Sequence, residues 1–266
     1  MGPSISQPVM HWNKIYSTSI DQYIIEEEPL SIRIQGNPYS VVMRTPGDEI
    51  PHVAGFCLGE GIVDKPDDFG SIAFCDGADT NVVAVTLKPS RREKIPQILE
   101  RRGFISQTSC GLCGKEIVKD LYQALQPIAD SIKIDIKKGA QLLESLSEQQ
   151  PIRQKTRAAH ASVLYGSDLK VLSAAEDVGR HNALDKAIGK VFLNGDLQDA
   201  SFLILSSRVS YELVQKAARA RISVIFSKSR PTSLAVALAS GLNMTLVCDS
   251  KDVGLEVFSG AHRLTS

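Results

Sequence analysis

The chain has 266 residues, 43% of them hydrophobic and 23% charged, the composition of a soluble globular protein with a sizeable core in one large domain or two modest ones. Thirty basic residues balance thirty acidic ones, so no global field draws the chain to nucleic acid or to an acidic membrane, and an anionic ligand must be held by local donors. No apolar run reaches the roughly 18–20 residues of a membrane helix, no N-terminal stretch has the layout of a secretory signal, and the five cysteines are few and odd in number; the expected compartment is a reducing cytoplasm.

In chain order, residues 1–20 show no periodicity and read as a mobile N-terminal arm. Segments 23–25, 30–35 and 39–44 read as strands, the last two forming a hairpin around Gly36-Asn37-Pro38. Glu26-Glu27-Glu28 reads as a solvated charge run. Residues 48–60 have helical character with Asp48 as the cap, and 72–75 with 82–87 form a second hairpin over Asp76-Gly77-Ala78-Asp79. A basic helix is expected over 91–102. Residues 21–130 are therefore predicted to be an α+β domain that ends in a cysteine loop and its helix.

That loop is Thr108-Ser109-Cys110-Gly111-Leu112-Cys113-Gly114-Lys115. Two thiols stand three apart among small residues, just ahead of a stretch in which Ile117, Val118, Leu121 and Leu125 recur at helical spacing. The positive end of a helix dipole, its unpaired N–H groups and Lys115 all favour thiolate over thiol. Cys57 (Gly55-Phe56-Cys57-Leu58) and Cys248 (Leu246-Val247-Cys248) instead lie in apolar runs, and together with Cys75 are expected to be embedded.

The second half, residues 131–266, has another rhythm. A helix over 136–149 precedes a hairpin of 160–165 and 169–174. Helices at 182–192, 211–220 and 233–239 then alternate with strands at 202–205, 223–226 and 245–247. Such alternation implies a largely parallel sheet covered on both faces, whose ligands gather where strands end and helices begin. Three of those junctions carry polar residues: Glu176 to Asn182, Ser206 to Ser210, and Ser227 to Thr232. Arg180, His181, Arg208 and Lys228 are the candidate anion-binding residues among them, although His181 could equally cap a helix and Asp177 could equally pair with Arg180.

Taken together, TSCGLCGK (Thr108 to Lys115), EDVGRHNALDK (Glu176 to Lys186), RVSYELVQKAARA (Arg208 to Ala220), PTSLAV (Pro231 to Val236) and MRTPGD (Met43 to Asp48) closely resemble the formate dehydrogenase accessory sulfurtransferases, the FdhD family. The resemblance runs from about Glu26 to the C-terminus. It implies a C-terminal cytidine-deaminase-like three-layer α/β domain behind the smaller α+β domain, and a homodimer. The resemblance further implies a sulfurtransferase, which accepts sulfur as a persulfide from a cysteine desulfurase and delivers it to the bis-molybdopterin guanine dinucleotide molybdenum cofactor used by the formate dehydrogenase catalytic subunit. By that resemblance Cys110 carries the persulfide and Cys113 assists, while Asp249, Ser250, Lys251, Asp252, Val253 and Gly254 form the cofactor-binding segment. Guanine nucleotides would mimic the cofactor. No structural metal is expected.

The residues themselves leave rival chemistries open. A Cys-x-x-Cys pair also serves thiol-disulfide exchange, usually within an early βαβ unit, whereas here it falls between domains. Structural zinc needs four ligands, but there is no second Cys-x-x-Cys, and His11, His52, His160, His181 and His262 show no paired spacing. A zinc deaminase would need His-x-Glu or Cys-x-Glu and Pro-Cys-x-x-Cys, and neither occurs in the chain. A non-catalytic chaperone for the molybdenum cofactor remains as the alternative from a different class.

Overall fold

The computed structural model describes residues 2–76, 79–95, 125–129, 131–250 and 253–266. The helix expected around 115–126 lies largely outside them, and of the basic helix expected at 91–102 only the start is described.

The chain opens with an antiparallel hairpin of β1 (Ser4–Trp12) and β2 (Ser17–Ile25); the strand expected at 23–25 is the end of β2, and the rest of the hairpin replaces the arm without regular structure expected over residues 1–20. Its turn is held by Asn13, whose Oδ1 accepts from the N–H groups of Ile15 and Tyr16 at 3.1 and 3.0 Å. Lys14 takes the left-handed conformation this turn requires, with φ 79°.

A four-stranded sheet follows, built from β3 (Glu28–Ile34), β4 (Asn37–Arg44), β5 (Phe69–Asp76) and β6 (Asp79–Leu87) in the order β4-β3-β6-β5. Both expected hairpins form, and β6 returns parallel to β3. The helix α1 (Glu49–Gly59) connects the two hairpins. Asp48 precedes it as expected but does not cap it: the residue is left-handed with φ 61°, and its carboxylate pairs with Lys190 at 2.7 Å. Glu28 likewise departs from the solvated reading, because it meets the fully buried Arg44 at 3.2 Å. A short helix, α2 (Pro89–Arg92), follows β6.

The second half is organised on a six-stranded sheet of β8 (His160–Gly166), β9 (Val171–Asp177), β10 (Ala200–Leu205), β11 (Val224–Ser227), β12 (Thr245–Ser250) and β13 (Gly254–Ser259), in the order β13-β12-β11-β10-β8-β9. β10, β11 and β12 are parallel, whereas β8 and β13 run antiparallel to their neighbours. A two-residue parallel pairing of β7 (Ile134–Asp135) with β14 (Leu264–Thr265) ties the C-terminus back to the start of this half. The helices are α3 (Ile136–Ser145), α4 (Pro151–Thr156), α5 (Arg180–Asn194), α6 (Tyr211–Arg219) and α7 (Ser233–Gly241).

Strand alternation divides the apolar residues between the two faces of this sheet. Phe202 and Ile204 join Leu143, Leu146 and Phe226 on one side. Leu203 and Leu205 join Leu184, Leu213 and Leu238 on the other. The latter cluster also takes in Leu30, Ile32, Val53, Val83 and Val85 from the first half, so one apolar mass runs through both. α1 and α5 touch backbone to backbone. A Cβ on Gly189 would stand 1.8 Å from the Pro51 carbonyl oxygen, and one on Gly55 2.0 Å from that of Asp185; only glycine permits the approach.

His52, on α1, is fully buried. Neither ring nitrogen meets a hydrogen-bond partner of good geometry among the described residues. Burial, then the charges of Lys186, Lys216 and Arg44, hold its pKa well below the ordinary value, with only the Asn182 amide opposing them. The folded protein therefore keeps this imidazole neutral while the unfolded chain protonates it near its usual pKa of about 6.5. Stability from this group is complete above that pH and falls as the pH drops through it, by up to ~1.4 kcal/mol per unit. His52→Met is expected to leave stability at pH 7.5 unchanged or raised, and to flatten its decline between about pH 6.5 and 5. Urea unfolding at several pH values checks this, and an unaltered slope in the variant contradicts it.

Candidate functional site

The register of the six-stranded sheet brings the three polar junctions to one edge. His160 pairs with Asp177 across β8 and β9, Ser162 stands opposite Leu205, Leu205 opposite Ser227, and Ser227 opposite Cys248. The residues that leave β9, β10 and β11 to start α5, α6 and α7 therefore share that edge with the end of β12.

One end of this edge is basic. Arg180 opens α5, and its Nε has no partner among the described residues. His160 has a pKa lowered first by burial and then by the charges of Arg180 and Arg153. His181 Nε2 lies 2.8 Å from Glu212 and 3.1 Å from the Ser210 hydroxyl. The hydrogen bond from His181 holds Glu212 below the usual carboxylate range, helped by the charge of Lys216 and Arg180 and opposed by burial. His181 is thus fixed from α6 rather than acting as a cap for its own helix. Ser162, on β8 and 1% exposed, has a hydroxyl without a partner among the described residues. Arg208 is exposed and has no ion pair among those residues.

The other end surrounds the close of β12. Lys228 Nζ is 3.5 Å from Asp249, and Arg230 donates to the Ser250 hydroxyl at 2.8 Å while pairing with Glu256 at 3.0 Å. Asp249, Ser250, Val253 and Gly254 are thereby placed around a turn into β13, with Gly254 at φ 92° and Val253 74% exposed. Lys251 and Asp252 lie outside the described residues. Arg230 falls within the polar junction Ser227 to Thr232, but its partner Ser250 is 20 residues away; Glu212, whose partner His181 is 31 residues away, is marked by no local pattern.

Several motif residues prove structural. Asp177 does not pair with Arg180. Its carboxylate is fully buried, meets Lys186 at 2.7 Å, and accepts from the N–H groups of Thr45 and Gly179 at 3.1 and 2.8 Å and from Asn182 at 3.0 Å. Lys186 also donates to the Thr45 carbonyl at 2.7 Å, and the Thr45 hydroxyl accepts from Val178 at 3.1 Å. The MRTPGD loop of the first half is thus stapled to the EDVGRHNALDK segment of the second. Asp185, whose pKa burial raises, meets Lys216 at 2.8 Å.

Cys110 and Cys113 lie outside the described residues. The other three thiols differ among themselves. Cys57 and Cys248 are buried as expected. Burial pushes both thiols up, Cys248 to about 12. Cys75 is exposed, contrary to expectation, because β5 is the edge strand of its sheet.

Residues 25–265 match the model of the FdhD/NarQ family. The chain belongs to that family. Among its relatives are the sulfur carrier protein FdhD of Streptomyces coelicolor, 39% identical with 91% of this chain and 88% of that protein covered, and that of Mycobacterium tuberculosis, 38% identical with 90% of each covered. The counterpart of Xanthomonas campestris pv. campestris strain B100 is 34% identical over 93% of this chain and 88% of its own length. A crystal structure from Desulfotalea psychrophila, proposed to be a formate dehydrogenase accessory protein, has the same fold, with a TM-score of 0.78 at 24% identity over 98% of this chain and 99% of the other. No described helix of this family member is long and apolar enough to cross a membrane.

Proposed function

We propose that this chain is a cytoplasmic sulfurtransferase that takes one sulfur atom onto Cys110 from a cysteine desulfurase and delivers it to the bis-molybdopterin guanine dinucleotide molybdenum cofactor, its substrate, on behalf of formate dehydrogenase. The Cys110 thiolate attacks the outer sulfur of the donor persulfide. The donor S–S bond breaks, the donor leaves as a thiolate with the bonding pair, and Cys110–S–SH is formed with no net oxidation. Cys113, three residues on, is then placed in sequence to attack the Cys110 sulfur: the Cys110–Cys113 disulfide forms, the bond to the outer sulfur breaks, that sulfur leaves as hydrosulfide for the acceptor, and a cellular thiol reductant restores the two thiols.

The observation that carries this reading is the family match, which takes in both cysteines and includes relatives named as sulfur carriers. The buried state of Cys57 and Cys248 supports it, since neither presents a thiolate at neutral pH. The hairpin followed by helices and parallel strands supports a cytidine-deaminase-like arrangement of the second half. Arg180, His181, Arg208 and Lys228 at one sheet edge, with Asp249, Ser250, Val253 and Gly254 beside them, are where the guanine dinucleotide arms and their phosphates would be held.

Intact mass after incubation with a desulfurase and cysteine tests the sulfur step. The expected result is an adduct of roughly 32 Da that dithiothreitol removes and that peptide mapping places on Cys110. Sulfur found on Cys57, Cys75 or Cys248 overturns the assignment, Cys75 being the informative competitor because it is exposed.

A further inference from the structure

We propose that the β1–β2 hairpin is the surface through which this chain holds a second copy of itself. The resemblance implies a homodimer without saying which surface joins its chains, and the pattern of exposure assigns one. Pairing through the hairpin holds whether or not the chain carries sulfur.

Apolar exposure among the described residues is concentrated on the hairpin. Ile5, Met10, Trp12, Ile15, Tyr16 and Tyr23 are between 47% and 84% exposed, and they are six of the thirteen large hydrophobic residues that stand exposed among the described residues. The same stretch has only two charged side chains, Lys14 and Asp21. A surface this apolar and this nearly neutral is the kind that proteins cover.

The hairpin also lacks the support a two-stranded sheet needs. No third strand joins it among the described residues, and isolated two-stranded hairpins are marginal in water. At its base, Glu26 N–H donates to the Pro3 carbonyl and Lys155 of α4 stands 5.6 Å from the centre of the Tyr23 ring. Beyond that base the arm is open on both faces. Ile5, Val9, Ile20 and Ile24 line one, and Met10, Trp12, Tyr23 and Ile25 the other.

Its edge argues for pairing through faces. Asn13 N–H donates to Tyr16 and Glu26 N–H to Pro3, which makes the odd-numbered positions of β1 the hydrogen-bonded ones. Pro8 is an even position, so its nitrogen faces the free edge. The missing donor costs no bond within the hairpin, while it interrupts any strand that would add outside. Open-ended strand addition is thereby discouraged, and a closed two-fold exchange of arms is favoured.

The size fits. Strands of nine residues give an arm about 30 Å long and about 10 Å wide, hence roughly 300 Å² on each face. Two exchanged arms, each laid on the other chain, bury roughly 1,200–2,000 Å² in all, which is the range of a specific interface. A single lysine at the tip offers no comparable pull toward anionic lipid, and one charge of each sign gives little for a charged partner to recognise.

Sedimentation of the full chain between about 1 and 50 μM tests this. The wild type is expected at twice the 28.9 kDa chain mass. Trp12→Glu/Tyr16→Glu, at positions 65% and 59% exposed, is expected to raise the dimer Kd at least ~30-fold with unchanged circular dichroism. Should the double variant misfold, Ile15→Lys at the most exposed position is read instead, with the same direction expected. A monomeric wild type overturns the proposal, including one that floats with phosphatidylcholine vesicles, and so does a folded variant that pairs as tightly as wild type.

Discussion

A Cys110→Ala variant is expected to form no dithiothreitol-sensitive adduct and to lower formate dehydrogenase activity by at least about a hundredfold in cells that depend on it. It should still bind guanine nucleotides as the wild type does, because the proposed phosphate donors belong to the sheet edge at Arg180, Arg208 and Lys228, and to the segment 249–254. Cys113→Ala should retain the adduct and slow its discharge. The reasoning is chemical: a persulfide needs a thiolate to accept the outer sulfur, and alanine offers no lone pair there. Enzyme activity and nucleotide titration, measured on the same variants, separate the two classes of function. Full activity with Cys110→Ala would mean that the chain hands over its cofactor as a chaperone, without sulfur chemistry.

What could be read from sequence was whatever a segment fixes by itself. β10, β11 and β12 are continuous apolar runs between amphipathic helices, so the parallel sheet and its three polar junctions were visible in advance. The embedding of Cys57 and Cys248 followed from their apolar neighbours. The β1–β2 hairpin was not visible, because its alternation sets Ile5 and Val9 against Gln7 and His11, and because its turn uses Asn13-Lys14 rather than a glycine pair. β13 was missed for a similar reason: it is a six-residue antiparallel edge strand that begins where the proposed cofactor segment ends. Cys75 misled because an edge strand has the same local pattern as an interior one. The largest gap lies in the site. Which charges turn inward depends on residues far along the chain, as when Thr45 meets Asp177 and Lys186, or Glu212 meets His181.

That long-range dependence has an energetic consequence at Lys186. The ammonium group is buried between the Asp177 carboxylate and the Thr45 carbonyl, both at 2.7 Å. Removing it leaves a buried carboxylate without its counter-charge, which typically costs roughly 3–5 kcal/mol. Three donors remain to Asp177, from Thr45, Gly179 and Asn182, so the lower part of that range applies. Lys186→Met keeps the unbranched stem and deletes the charge, so little packing is lost with it. The variant is expected to be less stable by about 3 kcal/mol and to melt roughly 6–12 °C lower, by the scaling for chains of this size. A loss under about 1 kcal/mol would show that the pair is not what joins the 43–48 loop to the second half. Arg180→Ala, in the same motif but with its Nε unpartnered among the described residues, should leave the melting temperature nearly unchanged and weaken nucleotide binding instead. The contrast divides one run of residues by what each side chain meets: Asp177 and Lys186 hold the 43–48 loop to the second half, Asp185 joins α5 to Lys216 of α6, and Arg180 and His181 stand at the sheet edge proposed to hold the ligand.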